Sequence, residues 1–558
     1  MSRFVRPSKY RHVYGNPAKK EGCYDNVKVS NNAWDTNLVA ANGRYVSVNW
    51  QASGGGAFAV IPTANYGKLP DIYPLCRGHS APVLDTAFSP FNDQMLASAS
   101  DDGTIGVWKV DDTLFDVLDM SEKEKEKAGG VKDMHPVAKI AGGSGRKVGQ
   151  VLFHPTANNV MAAASGDHIV RLYDIEAGVA KVELKGFTDA MQSFDFDWTG
   201  STLVATSRDR KLRTFDTRKG GDPVQVAESH GGIKGARVVW CGSLDRIITT
   251  GFSKMSDRQL FLWDSTNLSK PLKSITLDSS SGIIMPFWSD NNICFLAGKG
   301  DGNIRYYEYE SDELHYLTEY KSTEPQRGLT FIPRRSLNTD ENEIARAMKV
   351  TGNMVQPISF LVPRRADSFQ SDIFPPAPSD VPALSAAEFF AGKTSMPNLI
   401  NLDDKSGVLG KPAEPPKQNG AASAPAPVPA AVPKSSFSPS PSPLPAPAAG
   451  AAPAASPAAE TPNAAPVHAP APVVSEPAAA SNDGASDSKV RGARCIVHEE
   501  SALDSDLSCM HAQVKELEAL VEKLKIQLAQ KDTTMRELEL ENEKLKTKQQ
   551  KLRDALVQ

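Results

Sequence analysis

Short runs of alternating apolar and polar residues recur along the N-terminal two-thirds of the chain. The first clear set opens at Gly78-His79, continues through residues 96–100 and closes at Trp108. Alternation over a few residues predicts half-buried β-strands, and the Asp-Gly and Ser-Pro pairs between the runs predict turns. Four further units close on an aromatic residue, at Tyr173, Phe215, Trp263 and Tyr306. The pattern therefore predicts a chain of repeated small β-sheets.

The spacing of the units predicts the fold class. They recur at roughly 40 to 45 residues and end on an aromatic residue, often followed by Asp, as WD-repeat blades do. A single four-stranded blade cannot bury both of its faces, so blades must stack in a ring. Five units are recognisable, and divergent units near residues 34–61 and 328–362 bring the number to seven. We therefore predict an all-β, seven-bladed β-propeller over residues 1–400.

Polar residues at fixed places in the first clear unit predict a hydrogen-bond network inside the blade. His79, Ser98 or Ser100, Asp102 and Trp108 are the residue types that such a network uses. The same types would also suit a catalytic triad. Phe187 occupies the position where a later unit would have its histidine. Because a related unit lacks this residue, we favour the structural interpretation over the catalytic one.

The chain changes composition twice after the propeller. Residues 401–500 are rich in Pro, Ala and Ser and have few large apolar residues, which predicts a disordered linker. Residues 503–558 carry apolar residues in a heptad pattern, which predicts a coiled-coil oligomerisation helix. The predicted core positions include Val514, Leu517, Val521, Leu524, Leu528, Leu538, Asn542, Leu545 and Leu552.

The heptad residues favour a homo-oligomer with two parallel strands. Val at a, Leu at d and Asn542 at an a position are typical of dimers. Lys531 at a d position makes poor core, so a trimer stays open as an alternative. A single amphipathic helix that packs on the propeller is the other interpretation of the same periodicity.

Charge, cysteines and known motifs exclude several functional classes. The formal net charge of -4 gives no argument for nucleic-acid binding. The six cysteines are scattered without metal-ligand spacing, which predicts reduced thiols in the cytoplasm and no metal. The sequence contains no apolar run of about 18 residues for a membrane span, no signal peptide and no P-loop, HExxH or GxSxG motif. We expect no cofactor and no enzymatic activity.

Six strings make the sequence similar to the coronin family. They are residues 8–15 (SKYRHVYG), 23–30 (CYDNVKVS), 327–335 (RGLTFIPRR), 343–347 (EIARA), 372–376 (DIFPP) and 384–393 (LSAAEFFAGK). The last two resemble the extension that packs back on the family's propeller. Trp34-Asp35 also follows the family pattern, whereas the coil lacks the Arg-apolar-x-x-apolar-Glu trimer pattern of some coronins.

The resemblance implies a function on the actin cytoskeleton. Coronins are seven-bladed propellers that bind filamentous actin, oligomerise through a C-terminal coil and modulate the actin-related-protein nucleation complex. By resemblance we expect this protein at cortical actin in the cytoplasm. A general WD-repeat adaptor in trafficking or ubiquitin-ligase assembly is the alternative, and residues 8–15 and 327–347 are what separate the two.

Basic residues are the candidate contacts with the acidic filament. Lys28 occupies the position before the Trp-Asp pair where the family has a basic residue, often Arg. The other candidates are Lys19, Lys20, Arg208, Arg210, Lys211 and Arg213. The alternative for each is an ordinary exposed cation.

Overall fold

A computed structural model describes residues 6–32, 36–53, 56–127, 129–365, 368–404 and 407–408 of the 558-residue chain. Almost all of the predicted linker and the whole predicted coiled coil lie outside these described residues, as does the Trp34-Asp35 pair.

The described residues form seven sheets arranged as blades, antiparallel except for one short parallel pair in the last sheet, which confirms the predicted propeller. The chain starts with β1 (Tyr14–Pro17), a 3-10 turn (Lys20–Gly22) and β2 (Tyr24–Asp25). Blade 1 then contains β3 (Val39–Ala41), β4 (Tyr45–Trp50), β5 (Gly56–Pro62) and, after the short β6 (Gly67–Lys68), β7 (Leu75–His79).

Blades 2 to 4 follow in chain order. Blade 2 contains β8 (Val83–Phe88), β9 (Met95–Ser100), β10 (Thr104–Lys109) and β11 (Ala138–Ala141), with α1 (Thr113–Asp116), a 3-10 turn (Val117–Asp119) and α2 (Glu122–Lys127) before β11. Blade 3 contains β12 (Val148–Phe153), β13 (Val160–Ser165), β14 (Ile169–Asp174) and β15 (Val179–Leu184). Blade 4 contains β16 (Met191–Phe196), β17 (Thr202–Ser207), β18 (Lys211–Asp216) and β19 (Gln225–Glu228).

Blades 5 to 7 complete the ring. Blade 5 contains β20 (Arg237–Trp240), β21 (Arg246–Phe252), β22 (Arg258–Asp264) and β23 (Lys273–Asp278). Blade 6 contains β24 (Ile284–Ser289), β25 (Ile293–Gly298), β26 (Ile304–Glu310) and β27 (Glu313–Tyr320). Blade 7 contains β28 (Gly328–Phe331), two 3-10 turns (Arg334–Ser336, Thr339–Glu341), β29 (Glu343–Val350) and β30 (Val355–Leu361).

The N-terminal strands close the ring by joining the last blade. Strand β1 pairs antiparallel with β30, with Tyr14 opposite Leu361 and Pro17 opposite Ile358. Strand β2 meets the start of β30 through Tyr24 and Val355. The last sheet therefore holds both ends of the propeller together, as closure of the ring requires. This pairing was not predicted, because nothing local links residues so far apart in the chain.

The hydrophobic core lies between neighbouring blades. Each buried cluster takes side chains from at least two sheets, and the Phe58 ring of blade 1 meets the Trp108 ring of blade 2 edge-on at 5.0 Å. The first strands of adjacent blades contact one another, so they line the central channel. We call the face where these inner strands begin the upper face, and the opposite face the lower face.

A C-terminal extension packs on the lower face. It contains β31 (Ala377–Pro378), α3 (Ala386–Phe390), β32 (Leu399–Ile400) and β33 (Gly407–Val408). Phe389 is 1% exposed, and its ring lies 4.3 Å from that of His154, which follows the inner strand of blade 3. Ser385 and Glu388 form a capping box at the start of α3. Strand β33 pairs with β32, so ordered chain continues past residue 400, where the linker was predicted to begin.

Candidate functional site: the upper face of the ring

The predicted hydrogen-bond network in blade 2 is confirmed, and it selects Ser98. The Ser98 hydroxyl lies 2.7 Å from His79 Nε2 and accepts a hydrogen bond from Trp108 Nε1 at 2.8 Å. His79 Nδ1 faces Asp102 Oδ2 at 3.1 Å, whereas Ser100 donates to the carbonyl of Ala81. These groups join the end of β7 in blade 1 to the strands of blade 2, which is a structural role.

Burial governs the charges in this network. Burial lowers the pKa of His79 and outweighs the attraction of Asp102, which favours the neutral ring. Burial alone would raise the pKa of Asp102, but hydrogen bonds from Thr104 and Ser80 hold that pKa below its usual value. Hydrogen-bond donors close to it in the fold thus keep Asp102 ionised.

Blade 4 builds the corresponding network with a charged pair. Phe187 replaces the histidine, and Arg213 binds Asp209 at 2.5 Å and Ser207 Oγ at 2.8 Å. The Arg213 guanidinium also lies over the Phe187 ring, 5.2 Å from its centre. Because Arg213 is only 2% exposed, the prediction that it contacts a filament is wrong. Its charge is used inside the blade.

Blade 5 contains a second histidine network that the sequence analysis missed. His230 Nε2 lies 3.0 Å from Thr249 Oγ1, which accepts a hydrogen bond from Trp263 Nε1 at 2.9 Å. The opening pair is Ser229-His230, so the Gly-His pattern does not indicate this network. The closing aromatic residue, Trp263, is the sequence feature that could have indicated it.

The N-terminal candidates lie on the upper face where blades 7 and 1 meet. Lys28 is exposed and donates to the carbonyl of Asp71 at 3.1 Å, while its own carbonyl accepts from Gln51, next to the end of β4. Lys19 and Lys20 are exposed beside the start of β30. Second strands end and third strands begin at the upper face, so all three cations are on that side.

The remaining candidates lie on the upper face of blade 4. Arg208 is exposed and follows the end of β17, and Arg210 is exposed in the turn before β18. Lys211 is half-buried, and its ammonium lies 3.9 Å from Glu228. Blade 4 is on the far side of the ring from the seam of blades 7 and 1. The six accessible candidates therefore share a face without forming one cluster.

Further cations on this face were missed by the sequence analysis. Lys147, Lys234, Arg237 and Lys299 surround the upper mouth of the channel together with Arg208. Lys147, the pair Lys234 and Arg237, and Lys299 come from three different blades, and the chain separates these three positions widely. Only the ring geometry brings them together, so no local pattern could have found them.

Family profiles match three parts of the chain. Residues 3–68 match a profile described as a domain of unknown function, residues 72–109 a WD domain (G-beta repeat) and residues 355–397 a type of WD40 repeat. A coronin-like protein, crn1, of Schizosaccharomyces pombe is 55% identical over 72% of this chain and 65% of its own length. Coronin-A of Dictyostelium discoideum is 44% identical over 72% of this chain and 87% of its own length.

The chain belongs to the coronin family. The crystal structure of the WD40 domain of Toxoplasma gondii coronin supports the fold, with a TM-score of 0.64, 28% identity and coverage of 70% of this chain and 97% of that domain. The chain spans slightly less than two-thirds of the fission yeast relative.

Five of the six strings that suggested the coronin family meet in blade 7, whereas residues 384–393 pack on blades 3 and 4. Arg327 donates to the carbonyl of Ser30 at 2.6 Å, which links residues 327–335 to the N-terminal string. Arg334 donates to the carbonyl of Pro375 at 2.5 Å and so contacts the C-terminal string. Lys9 donates to the carbonyl of Asp372. These strings therefore hold the ring closure and the extension together.

The described residues contain neither a helix long and apolar enough to cross a membrane nor a His, Cys, Asp and Glu group that could hold a metal. Cys23, Cys76, Cys241 and Cys294 are free and buried. Burial raises the pKa of Cys294 and Cys76, which disfavours reactive thiolates at neutral pH.

Proposed function

We propose that this coronin binds filamentous actin through the upper face of its propeller. The observation that carries the proposal is the placement of six basic candidates on one face, while the extension occupies the other. A basic face matches an acidic filament, and such complementarity makes association fast and sensitive to salt. Lys28 is the central contact, with Lys19, Lys20, Arg208, Arg210 and Lys211 around the same face.

Avidity is the second part of the proposal. Residues 503–558 join two propellers as a coiled coil, and residues 409–502 act as the flexible spacer between head and coil. Joining two heads makes the second contact intramolecular, so the pair holds a filament much more tightly than one head. Through this activity the protein crosslinks or decorates filaments.

The cellular role follows from the same contacts. We propose that the protein acts in the cytoplasm at cortical actin and regulates assembly there through the actin-related-protein nucleation complex. It acts by binding, without a cofactor and without catalysis. Its neutral, buried histidine networks suit a scaffold and not acid–base chemistry.

Co-sedimentation of the full chain with filamentous actin over a salt series tests the proposal. We expect pelleting at low salt that falls steadily as salt rises. Leu517→Asp at a core heptad position should reduce pelleting strongly, because it breaks the coil, whereas Ala519→Asp at an outer position of the same heptad should not. Absence of pelleting at low salt would favour the general WD-repeat adaptor instead.

A further inference from the structure

Two apolar side chains on the upper face of blade 5 are almost fully exposed. Ile233 is 86% exposed and Met255 is 84% exposed, the highest values among the large apolar side chains of the described residues. Ile233 lies in the loop before β20, and Met255 lies in the loop between β21 and β22. Both loops are on the upper face, because first strands begin there and second strands end there. A partner that covers these side chains would remove apolar surface from water.

Backbone contacts hold the two loops together. The amide of Gly232 donates to the carbonyl of Phe252 at 2.8 Å. A Cβ atom at Gly232 would lie 2.7 Å from Phe252 Cβ, so this approach requires glycine. The ammonium of Lys234 lies 4.7 Å from the centre of the Phe252 ring. Ile233 stands between Gly232 and Lys234 in the chain, so its position next to the second loop is fixed.

The loop that carries Met255 is a tight turn with its own hydrogen bonds. The amide of Ser253 donates to the carbonyl of Asp257 at 2.8 Å. Ser253 Oγ accepts from the amides of Met255 and Asp257, each at 3.1 Å. Ser256 has a φ of 68° and donates to the carbonyl of Ser253 at 3.0 Å. A turn held in this way presents Met255 in one position, which reduces the entropy lost when a partner binds.

Basic side chains surround the two loops. Arg210 donates to the carbonyl of Gly231 at 3.4 Å, which places the cations of blade 4 beside the loops of blade 5. Arg208 is exposed at the end of β17, and Lys234 and Lys254 are exposed within the two loops themselves. Protein interfaces typically combine an apolar centre with a polar rim. The upper face of blades 4 and 5 has this arrangement.

Carboxyl groups beside the loops favour a protein partner over an anionic bilayer. Asp257 belongs to the Met255 turn. The Glu228 side chain is 78% exposed and lies 3.9 Å from the ammonium of Lys211. Exposed carboxylates are repelled by the negative surface of an anionic membrane. A protein surface can instead place a cation opposite each of them.

We propose that Ile233 and Met255 form the apolar centre of the filament contact on blades 4 and 5. This inference rests on the proposed function, and it adds two contact residues that are not among the basic candidates. The part of filamentous actin that meets them must combine apolar side chains with carboxylates. The basic residues then supply the part of the affinity that salt screens, and Ile233 and Met255 supply the part that salt does not screen.

Co-sedimentation of the full chain with filamentous actin at low and at high salt separates the two parts. The double variant Ile233→Thr, Met255→Gln keeps side chains of similar shape but loses apolar surface. We expect it to bind about tenfold more weakly at both salt concentrations. Lys234→Gln should weaken binding at low salt and have little effect at high salt, because salt screens the lost attraction.

Two matched variants serve as controls. Val224 is 67% exposed at the start of the outer strand of blade 4, and the Lys219 side chain is 82% exposed on the lower face of the same blade. Val224→Thr and Lys219→Gln should therefore bind filaments as the natural chain does. A loss in Val224→Thr equal to that in the double variant would overturn the inference.

The outcomes separate this inference from the proposed function. If the double variant binds as the natural chain does while Lys28→Glu binds more weakly, the filament function stands and the inference is wrong. If the natural chain does not pellet at low salt, both are wrong. Sedimentation with vesicles of phosphatidylcholine and phosphatidylserine covers the other partner. A double variant that loses vesicle binding but keeps its filament affinity would make the two loops a lipid contact and overturn the inference.

Discussion

The two faces of this propeller differ in charge and in what covers them. Lysine and arginine of blades 3 to 6 line part of the upper mouth of the channel, and a separate group of exposed lysines lies at the seam of blades 7 and 1. The lower mouth is lined by aromatic rings such as Trp288, by the carboxyl groups of Asp195 and Asp290 together with Arg335, and by Pro378 of the extension. The extension thus packs on the lower face, and we propose that the upper face binds the partner.

The contacts of the extension on the lower face combine buried apolar side chains with hydrogen bonds. Leu384, Ala386 and Phe389 are buried among side chains of blades 3 and 4. The carbonyl of Leu384 accepts from Asn158 at 2.9 Å, and Arg218 donates to Thr394 Oγ1 at 2.7 Å. Apolar burial with satisfied backbone groups is typical of permanent contacts, whereas exposed cations are typical of reversible, salt-sensitive contacts.

The largest expected effect comes from removing the anchor of the lower face. Phe389→Ala deletes a buried ring, so we expect a loss of about 4 kcal/mol in the free energy of unfolding. Filament binding by the folded protein should be unchanged, because the upper face is intact. Urea denaturation and co-sedimentation measure the two effects. Phe390→Ala, at the half-buried neighbour, is the control with a smaller loss.

Breaking the ion pair of blade 4 should cost nearly as much stability. Arg213→Ala leaves the Asp209 carboxylate without its buried partner, and we expect a loss of about 3 kcal/mol. Chemical denaturation checks this result, with the exposed Arg208→Ala as the control. If Arg213→Ala weakened filament binding without lowering stability, the assignment of Arg213 to the blade core would be wrong.

A buried carboxyl group in the lower mouth, that of Asp195, should make stability depend on pH. Burial raises the pKa of Asp195 to about 7, against hydrogen bonds from the backbone of Trp240 and Phe196. Between about pH 4 and pH 7 the folded state keeps a proton that the unfolded state has released, so stability falls as pH rises through this window. Above this pH window the contribution of Asp195 to the free energy of unfolding is constant.

Asp195→Asn removes this titration. The decrease in the free energy of unfolding from pH 5 to pH 8 should be about 2 kcal/mol smaller in the variant than in the natural protein. Denaturation at the two pH values measures it. The exposed Asp222→Asn should keep the natural slope, and an equal slope in Asp195→Asn would contradict the burial of this charge.

The smallest effect is expected within the upper face itself. Lys211 has Glu228 beside it, so Lys211→Gln removes a partly compensated charge from an exposed pair worth about 0.5 kcal/mol. We expect a change of less than about twofold in filament affinity. Arg208→Gln should have the larger effect in the same co-sedimentation assay. A larger effect of Lys211→Gln would show that exposure alone does not determine how much each cation contributes to filament affinity.

The sequence predicted the ring because blade patterns are local. Alternation and the closing aromatic residues are repeated within each unit, and the His79, Ser98 and Trp108 network follows from the residues of one sequence repeat. The wrong prediction for Arg213 has a local reason as well. Asp209 and Arg213 stand four residues apart and form an ion pair across a turn. The basic cluster read from the sequence therefore included Arg213, whose charge is paired with Asp209 inside the blade.

What the sequence could not predict depends on long-range geometry. The pairing of β1 with β30 joins residues at opposite ends of the propeller. Lys147, Lys234 and Lys299, from three blades, line the same cavity at the upper mouth of the channel. No window of the sequence contains these groups together, so they appear only once the ring is closed. The linker and the coil, outside the described residues, stay predictions.

The most direct test of the account compares one exposed lysine on each face. Full-length Lys28→Glu and Lys219→Glu carry the same change of charge, and each is co-sedimented with filamentous actin at low salt. The account predicts that Lys28→Glu weakens filament affinity about tenfold while Lys219→Glu changes it less than about twofold. Equal effects of the two substitutions, or an unaffected Lys28→Glu variant, would contradict binding through the upper face.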